Sequence, residues 1–341
     1  KFNNLIFKRV FSSNYKLARL TTTNFCYQTL YSSMAIALIS TNRNFLELQE
    51  HIQGLDPNIQ VDIWPRITAK EAVRMAVCWN IPEHALSPYP NLQLIQSYGA
   101  GVADLLEDAS IPAHIPIARM SLESLATDML AYVNWALMDI RHHGLFYRAN
   151  QSVTSWAPKE TLGHQDLSIG VMGLGNIGSY VSQSLAAQGY RVLGWSRSKK
   201  ELPLVRCYEQ HELRTFAEQC NVLVSLLPNT SETQGLLDLE LFKSMPKPSF
   251  IINAGRGTQL VDEDLIYALD TQHIQGAYLD VFMKEPLAQN HHFWNRKEVV
   301  ITPHIAAKTR VADAAALIVE NYSRISSGMP AQFLVDRRKG Y

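Results

Sequence analysis

Short apolar runs alternate with helical patterns along the chain from Met34 onward. The runs are rich in Val, Ile and Leu, which is typical of strands buried in parallel sheets. The predicted strands are residues 36–39, 61–64, 75–79, 92–97, 167–172, 191–195, 222–226, 250–253, 275–279 and 299–302. Their alternation with helices predicts an α/β protein with doubly wound parallel sheets.

Four further segments have the apolar spacing of helices. Residues 44–52 form one of them, and 71–76 form a short one ahead of a strand. The pattern over 122–143 is long and contains no Pro or Gly, so it predicts one helix that crosses between domains and supports a dimer. The pattern over 308–327 predicts a last helix that returns to the first domain.

A glycine motif follows the predicted strand at 167–172. Gly173, Gly175 and Gly178 have the GxGxxG spacing, and a helical pattern and the strand at 191–195 come next. In dinucleotide-binding domains such glycines permit a tight turn, approach of the backbone to a pyrophosphate and close packing of helix on strand. A glycine-rich turn in another kind of α/β domain is the alternative. The residues expected at the pyrophosphate are Gly173, Leu174, Gly175, Asn176, Ile177 and Gly178.

The end of the next strand indicates which dinucleotide binds. NAD sites usually place Asp or Glu there to bond the ribose 2′-hydroxyl. The segment 195–200 has no carboxylate, whereas Arg197 and a hydroxyl of Ser196 or Ser198 suit a 2′-phosphate. Solvated loop charges are the alternative interpretation. The sequence therefore predicts NADP as cofactor, with NADPH preferred over NADH.

The composition excludes several classes of protein. The 341 residues include 31 basic and 31 acidic side chains, so the zero net charge gives no basis for a nucleic-acid surface. No run of 18 apolar residues occurs, so no membrane span is expected. The four cysteines lack CxxC spacing, which argues against a disulfide framework or a metal site and favours a reducing compartment.

Residues 1–33 differ from the rest of the chain. They contain five Lys or Arg and no acidic residue, which is the composition of a transit peptide and would imply a mitochondrial location. The alternative is that Met34 is the true start and that the protein is cytoplasmic. Under either interpretation this leader is not part of the fold.

Polar residues collect at the predicted carboxyl ends of strands, where open parallel sheets bind ligands. His304 is the candidate proton donor to a carbonyl oxygen, and Glu285 is the carboxylate that would keep its ring charged. Arg256, which lies between two glycines, is the candidate to bind the carboxylate or the carbonyl oxygen of a substrate. The alternatives are a structural histidine, a surface acid and a solvent-facing arginine.

Two other groups of residues complete the predicted site. The backbone N–H groups of Gly99, Ala100 and Gly101 are suited to a substrate carboxylate. Asp280 is a candidate partner of the nicotinamide carboxamide. The remaining residues assigned to the cofactor, also at strand ends, are Leu227, Pro228 and Ala254.

The order of the motifs resembles that of the D-isomer-specific 2-hydroxyacid dehydrogenases over residues 34–341. The motifs are Gly99-Ala-Gly-Val, Gly173-x-Gly-x-x-Gly, Leu227-Pro-Asn-Thr-x-x-Thr233, Asn253-Ala-Gly-Arg-Gly257, Leu279-Asp-Val-Phe-x-x-Glu-Pro286 and Thr302-Pro-His-Ile-Ala306. The resemblance implies that Arg256, Glu285 and His304 are catalytic. It also implies a Rossmann-type NADP-binding domain over 120–304, inserted in a flavodoxin-like substrate domain of 34–119 plus 305–341.

Within this family the chain is most similar to the glyoxylate/hydroxypyruvate reductase A branch. Trp195-Ser-Arg, Ala306-Ala307 and the end of the chain at 335–341 carry the similarity. It implies a homodimer that reduces small 2-keto acids, glyoxylate to glycolate and hydroxypyruvate to D-glycerate. The alternatives are a nucleotide-sensing binding protein on the same fold and 3-phosphoglycerate dehydrogenase, which usually has an acidic residue for NAD. Formate dehydrogenase ranks low because it has a glutamine where this chain has Glu285.

Overall fold

The computed structural model describes residues 34–340 and contains two parallel sheets. The predicted leader, residues 1–33, lies outside the described residues. The strands of the first sheet are β1 (Ala35–Ser40), β2 (Gln60–Ile63), β3 (Val73–Trp79), β4 (Leu94–Ser97) and β5 (Ile117–Ala118). Their spatial order is β2-β1-β3-β4-β5, and every neighbouring pair is parallel.

The second sheet is larger and contains the glycine motif. Its strands are β6 (Ser168–Met172), β7 (Arg191–Trp195), β8 (Val205–Tyr208), β9 (Val222–Ser225), β10 (Ser249–Asn253), β11 (Ile274–Leu279) and β12 (Val299–Ile301). Their order is β12-β11-β10-β9-β6-β7-β8, in which the direction of strand addition reverses at β6. This is the order of a Rossmann-type sheet, so the predicted fold class is confirmed.

Helices connect the strands of both sheets. They are α1 (Leu46–Leu55), α2 (Ala103–Glu107), α3 (Glu123–Arg141), α4 (Gly144–Ser152), α5 (Asn176–Ala187), α6 (Leu213–Ala217), α7 (Leu239–Ser244), α8 (Asp262–Asp270) and α9 (Val311–Ser326). The last of them, α9, packs against the first sheet, where Ala314 and Ile318 share a core with β1. None of the helices described is long and apolar enough to cross a membrane.

Each sheet has an apolar core on both faces, because successive residues of a strand point to opposite sides. In β1, Ile36 and Leu38 belong to one core, whereas Ala37 and Ile39 belong to the other. Strands that are buried on both faces need nearly continuous apolar runs, which explains why most of them could be predicted from the sequence.

The prediction from the sequence missed or misplaced some elements. Strands β5 and β8 were not predicted, because β5 has only two residues and β8 carries Arg206 within it. The helical stretch predicted at 71–76 is a 3₁₀ turn at Lys70–Ala72, after which β3 begins. The long helix α3 ends at Arg141, and α4 follows after His143, whose φ of 53° is left-handed.

Candidate active site

The turn between β6 and α5 fits a dinucleotide pyrophosphate. Gly173 has a φ of 98°, which favours glycine, and a Cβ at Gly178 would clash with the carbonyl oxygen of Gly173. A Cβ at Gly175 would meet no atom within 4 Å, so the start of α5 faces open space. No side chain caps the first N–H groups of this 12-residue helix. These free donors and the helix dipole suit an anion.

The segment after β7 brings Arg197 to the loop after β9. The guanidinium lies 3.4 Å from a carboxylate oxygen of Glu232, and both side chains are partly exposed. Ser196 is buried, and its hydroxyl donates a hydrogen bond to the carbonyl oxygen of Ser198 at 2.8 Å. Arg197 therefore lies at the end of β7 and has an acidic partner in the loop after β9.

A buried glutamine that the sequence analysis missed organises the loops after β9 and β10. The side-chain amide of Gln259 donates to the carbonyl oxygens of Leu227 and Pro228 at 2.8 and 3.1 Å. Its oxygen accepts from the hydroxyl of Ser225 at 2.8 Å and from the N–H of Arg256 at 3.3 Å. Gln259 thus fixes Leu227 and Pro228, which were predicted to contact the cofactor, relative to the arginine. Its position in a 3₁₀ turn gives no periodic signal.

His304 and Glu285 form a hydrogen-bonded pair. The imidazole Nδ1 lies 2.8 Å from Oε2 of Glu285, whose Oε1 accepts from the N–H of Phe282 at 3.1 Å. Partial burial alone would raise the pKa of Glu285, but these two hydrogen bonds and the charges of His304 and Arg256 lower it overall. The carboxylate form is thus favoured, and it orients the imidazole with Nε2 free of bonds to other described residues.

Asp280, also predicted for the cofactor, is buried and holds the loop that carries His304. Its oxygens accept from the hydroxyl of Thr302 at 2.6 Å and from the N–H groups of Ile305 and Ala306 at 2.8 and 2.9 Å. The N–H of His304 donates to the carbonyl oxygen of Asp280 at 2.8 Å. A carboxylate has about four acceptor sites, so these three hydrogen bonds leave one site unused on a residue that is only 1% exposed.

Tyr132 of α3 joins this hydrogen-bond network, a role that was not predicted from the sequence. Its hydroxyl lies 2.9 Å from the hydroxyl of Thr302. Because the proton of Thr302 goes to Asp280, Tyr132 is the donor in this contact. Burial raises the pKa of Tyr132 above its ordinary value and keeps the hydroxyl protonated.

Arg256 reaches from the second sheet to the loop after β4. Its Nη1 donates to the carbonyl oxygen of Gly255 at 2.7 Å, and a Cβ at Gly101 would overlap its Nη2. Burial lowers the pKa of Arg256, and the charges of Glu285 and Asp104 oppose that shift. The guanidinium therefore stays charged and lies against a loop that only glycine permits at this position.

The loop after β4 offers fewer free N–H groups than predicted. The N–H of Gly99 donates to the hydroxyl of Ser97 at 3.2 Å, which in turn donates to the carbonyl oxygen of Gly101 at 2.9 Å. The N–H groups of Ala100 and Gly101 make no hydrogen bond to another residue within 34–340. The predicted anion site therefore retains two N–H donors beside Arg256.

Comparisons with known proteins identify the family of this chain. A family model described as D-isomer specific 2-hydroxyacid dehydrogenase, NAD binding domain, matches residues 134–306. The glyoxylate/hydroxypyruvate reductase A of Photorhabdus laumondii is 34% identical over 306 residues, which are 87% of this chain and 97% of that protein. The chain belongs to the D-isomer-specific 2-hydroxyacid dehydrogenase family.

Solved structures of the family have the same fold. A D-isomer-specific 2-hydroxyacid dehydrogenase from Xanthobacter autotrophicus, in complex with NADPH and MES, has a TM-score of 0.87 at 31% identity and covers 91% of this chain and 100% of its own. The NADPH-dependent glyoxylate/hydroxypyruvate reductase of Sinorhizobium meliloti, in complex with NADP and sulfate, has a TM-score of 0.85 at 30% identity and covers 90% and 100%.

The pairing of His304 with Glu285 predicts a shift in pH dependence. In Glu285→Gln the imidazole loses the carboxylate that accepts a hydrogen bond from Nδ1 and stabilises the positively charged ring. We expect the pH optimum of keto-acid reduction to move down, as measured from kcat/KM between pH 5 and 9. Glu218→Gln, which removes an exposed acid paired with Arg214, is the control and should leave the profile unchanged. An unmoved optimum in Glu285→Gln would contradict the pairing.

Proposed function

We propose that this chain is an NADPH-dependent reductase of small 2-keto acids, which converts glyoxylate to glycolate and hydroxypyruvate to D-glycerate. The observation that carries the proposal is the meeting of a His304–Glu285 pair with Arg256 at one end of the second sheet. Relatives that match 84–87% of this chain are glyoxylate/hydroxypyruvate reductases, which supports the same substrates. We also propose that residues 120–304 form the NADP-binding domain and that 34–119 plus 305–341 form the substrate domain, with Arg256 and His304 reaching the keto acid from the NADP-binding domain.

In this proposal each group of the site has one task. The N–H groups of Ala100 and Gly101 hold the substrate carboxylate, and Arg256 donates to the carbonyl oxygen, which polarises the carbonyl. The hydride for the keto carbon comes from NADPH when it is bound. The imidazolium of His304 gives its Nε2 proton to the same oxygen as negative charge develops there. The carboxylate of Glu285 accepts a hydrogen bond from Nδ1–H and stabilises the ring while the ring is charged.

Loss of His304 tests the chemistry separately from binding. We expect His304→Ala to lower kcat for glyoxylate by about 10²- to 10⁴-fold, because no other group supplies the proton. The dissociation constant for NADPH, measured by fluorescence titration, should stay within twofold. His114→Ala, at an exposed histidine, is the control and should retain full turnover. Unchanged turnover in His304→Ala, or no NADPH oxidation by wild type with glyoxylate or hydroxypyruvate, would contradict the proposal.

Arg197 is proposed to select NADPH over NADH. A guanidinium at the end of β7, with no acidic residue of its own strand beside it, suits the 2′-phosphate that only NADPH carries. We expect Arg197→Ala to lower kcat/KM for NADPH roughly 10- to 100-fold while NADH changes less than twofold. Arg214→Ala, which removes an exposed arginine of α6, is the control. Equal losses for both coenzymes would show that Arg197 does not contact the 2′-phosphate.

A homodimer is proposed from the surface of α3 and α4. Large apolar side chains are exposed there and in the segment that follows, and their exposed fractions are 45% for Trp135, 45% for Met138, 68% for Val153 and 97% for Trp156. Isolated exposed apolar residues are common, but four along one stretch favour a protein interface. We also propose a cytoplasmic location, which the free thiols of Cys78, Cys207 and Cys220 support.

Sedimentation analysis tests the dimer. We expect wild type at micromolar concentration to sediment at twice the chain mass of 38.5 kDa. Trp156→Asp should shift this equilibrium towards the monomer without loss of helicity, because the side chain makes little contact within its own chain. Leu204→Asp, at a residue 77% exposed in the loop after β7, is the matched control and should remain dimeric. A wild-type monomer at these concentrations would refute the proposed interface.

A further inference from the structure

Arg43 lies at the carboxyl edge of the first sheet, outside the site described above. It follows β1, whereas Trp79 ends β3 and Tyr98 follows β4. In the order β2-β1-β3-β4-β5, these three strands are neighbours, and the direction of strand addition reverses between β1 and β3. Ligands of doubly wound sheets bind at such a reversal, outside the carboxyl ends of the strands.

Two aromatic rings hold the guanidinium of Arg43. Its Cζ lies 4.8 Å from the ring centroid of Trp79 and 5.0 Å from that of Tyr98. The two rings meet edge to face, with centroids 6.5 Å apart and an angle of 84° between their planes. Cation–π contacts of this length are attractive, so the rings restrict a side chain that would otherwise move freely in solvent.

The same tryptophan connects Arg43 to the substrate loop. A Cβ at Gly99 would lie 2.6 Å from a ring atom of Trp79, so this ring packs directly against the loop. Arg256 packs against the other end of that loop, at Gly101. Two residues of extended chain span at most about 7 Å, so the Trp79 ring and the guanidinium of Arg256 contact the loop within a short distance of each other.

Arg43 forms no ion pair with an acidic side chain of the described residues. No carboxylate of residues 34–340 lies within 4.0 Å of its nitrogen atoms, and the residue is exposed. Burial raises the pKa of Tyr98, the charge and a hydrogen bond of Arg43 lower it, and the charge of Glu47 raises it. An exposed cation that two rings restrict, and that forms no ion pair with a carboxylate of residues 34–340, is suited to an anion from solution.

We propose that Arg43 is a second anion subsite, which binds the distal carboxylate of 2-keto dicarboxylic acids of four or five carbons. This inference rests on the proposed function, since the reactive end of the same substrate occupies the Ala100–Gly101 and Arg256 site. The keto carbon receives the hydride and its oxygen the proton, as for glyoxylate. The distal carboxylate takes no part in the reaction and contributes binding only.

A pair of substrates that differ at one end tests the subsite. 2-Oxobutanedioate and 2-oxobutanoate have the same four-carbon chain, but only the first has a distal carboxylate. We expect Arg43→Gln to lower kcat/KM about tenfold for 2-oxobutanedioate and less than twofold for 2-oxobutanoate and glyoxylate. Arg43→Lys should retain part of the lost rate because it keeps the charge. Arg66→Gln, at an exposed arginine after the neighbouring strand β2, is the control and should change none of the three.

The contradicting outcomes are distinct. Equal losses for all three substrates would show that Arg43 supports the fold or the common end of the substrate. No loss for any of them, or no reduction of 2-oxobutanedioate by wild type that reduces glyoxylate, would refute the subsite and leave the proposed function intact.

A binding measurement separates this inference from the proposed reaction. We expect calorimetry in the presence of NADPH to show that D-2-hydroxybutanedioate binds about tenfold more weakly to Arg43→Gln than to wild type. D-2-hydroxybutanoate, which lacks the distal carboxylate, should bind both proteins equally. If no 2-keto acid is reduced, the proposed function fails, whereas equal binding of the diacid to both proteins overturns the subsite on its own.

Discussion

The buried carboxylate of Asp280 is the constraint on which the rest of the site depends. Its two oxygens accept three hydrogen bonds, from Thr302, Ile305 and Ala306. These hydrogen bonds fix the backbone on both sides of His304. A buried donor without an acceptor costs about 1–3 kcal/mol. A different backbone conformation of this loop would lose several of these hydrogen bonds at once, so it is strongly disfavoured. The position of the imidazole follows from that restriction and not from contacts of the ring alone.

Electrostatic balance explains why opposite charges meet at this point. Removing the guanidinium of Arg256 from water is unfavourable and lowers its pKa, and the charge of Glu285 offsets part of that effect. The same carboxylate pairs with His304, so one negative charge stabilises the charged forms of both the guanidinium and the imidazole. A bound keto-acid carboxylate adds a second negative charge, which makes the liganded site closer to neutral than the empty one.

The strand ends and the glycine turn could be predicted from the sequence, because they depend on local pattern. Apolar runs identify buried strands, and parallel strands bring the residues after them to a common edge, which is how Arg256, Glu285 and His304 were found. Gln259 and Tyr132 were missed because their partners are distant in sequence and no periodicity connects them. The occupied N–H of Gly99 was missed because it depends on the rotamer of Ser97, which no pattern specifies.

The ion pair between Arg197 and Glu232 shows how the coenzyme end of the site can rearrange. Both side chains are partly exposed, and exposed ion pairs contribute only about 0–1 kcal/mol. A 2′-phosphate carries more charge than a carboxylate and accepts hydrogen bonds from a guanidinium in a fork. The proposed exchange of Glu232 for the 2′-phosphate would therefore cost little, whereas an aspartate at the end of β7 would repel the phosphate at close range. The weak ion pair with Glu232 is thus compatible with the proposed contact between Arg197 and the coenzyme.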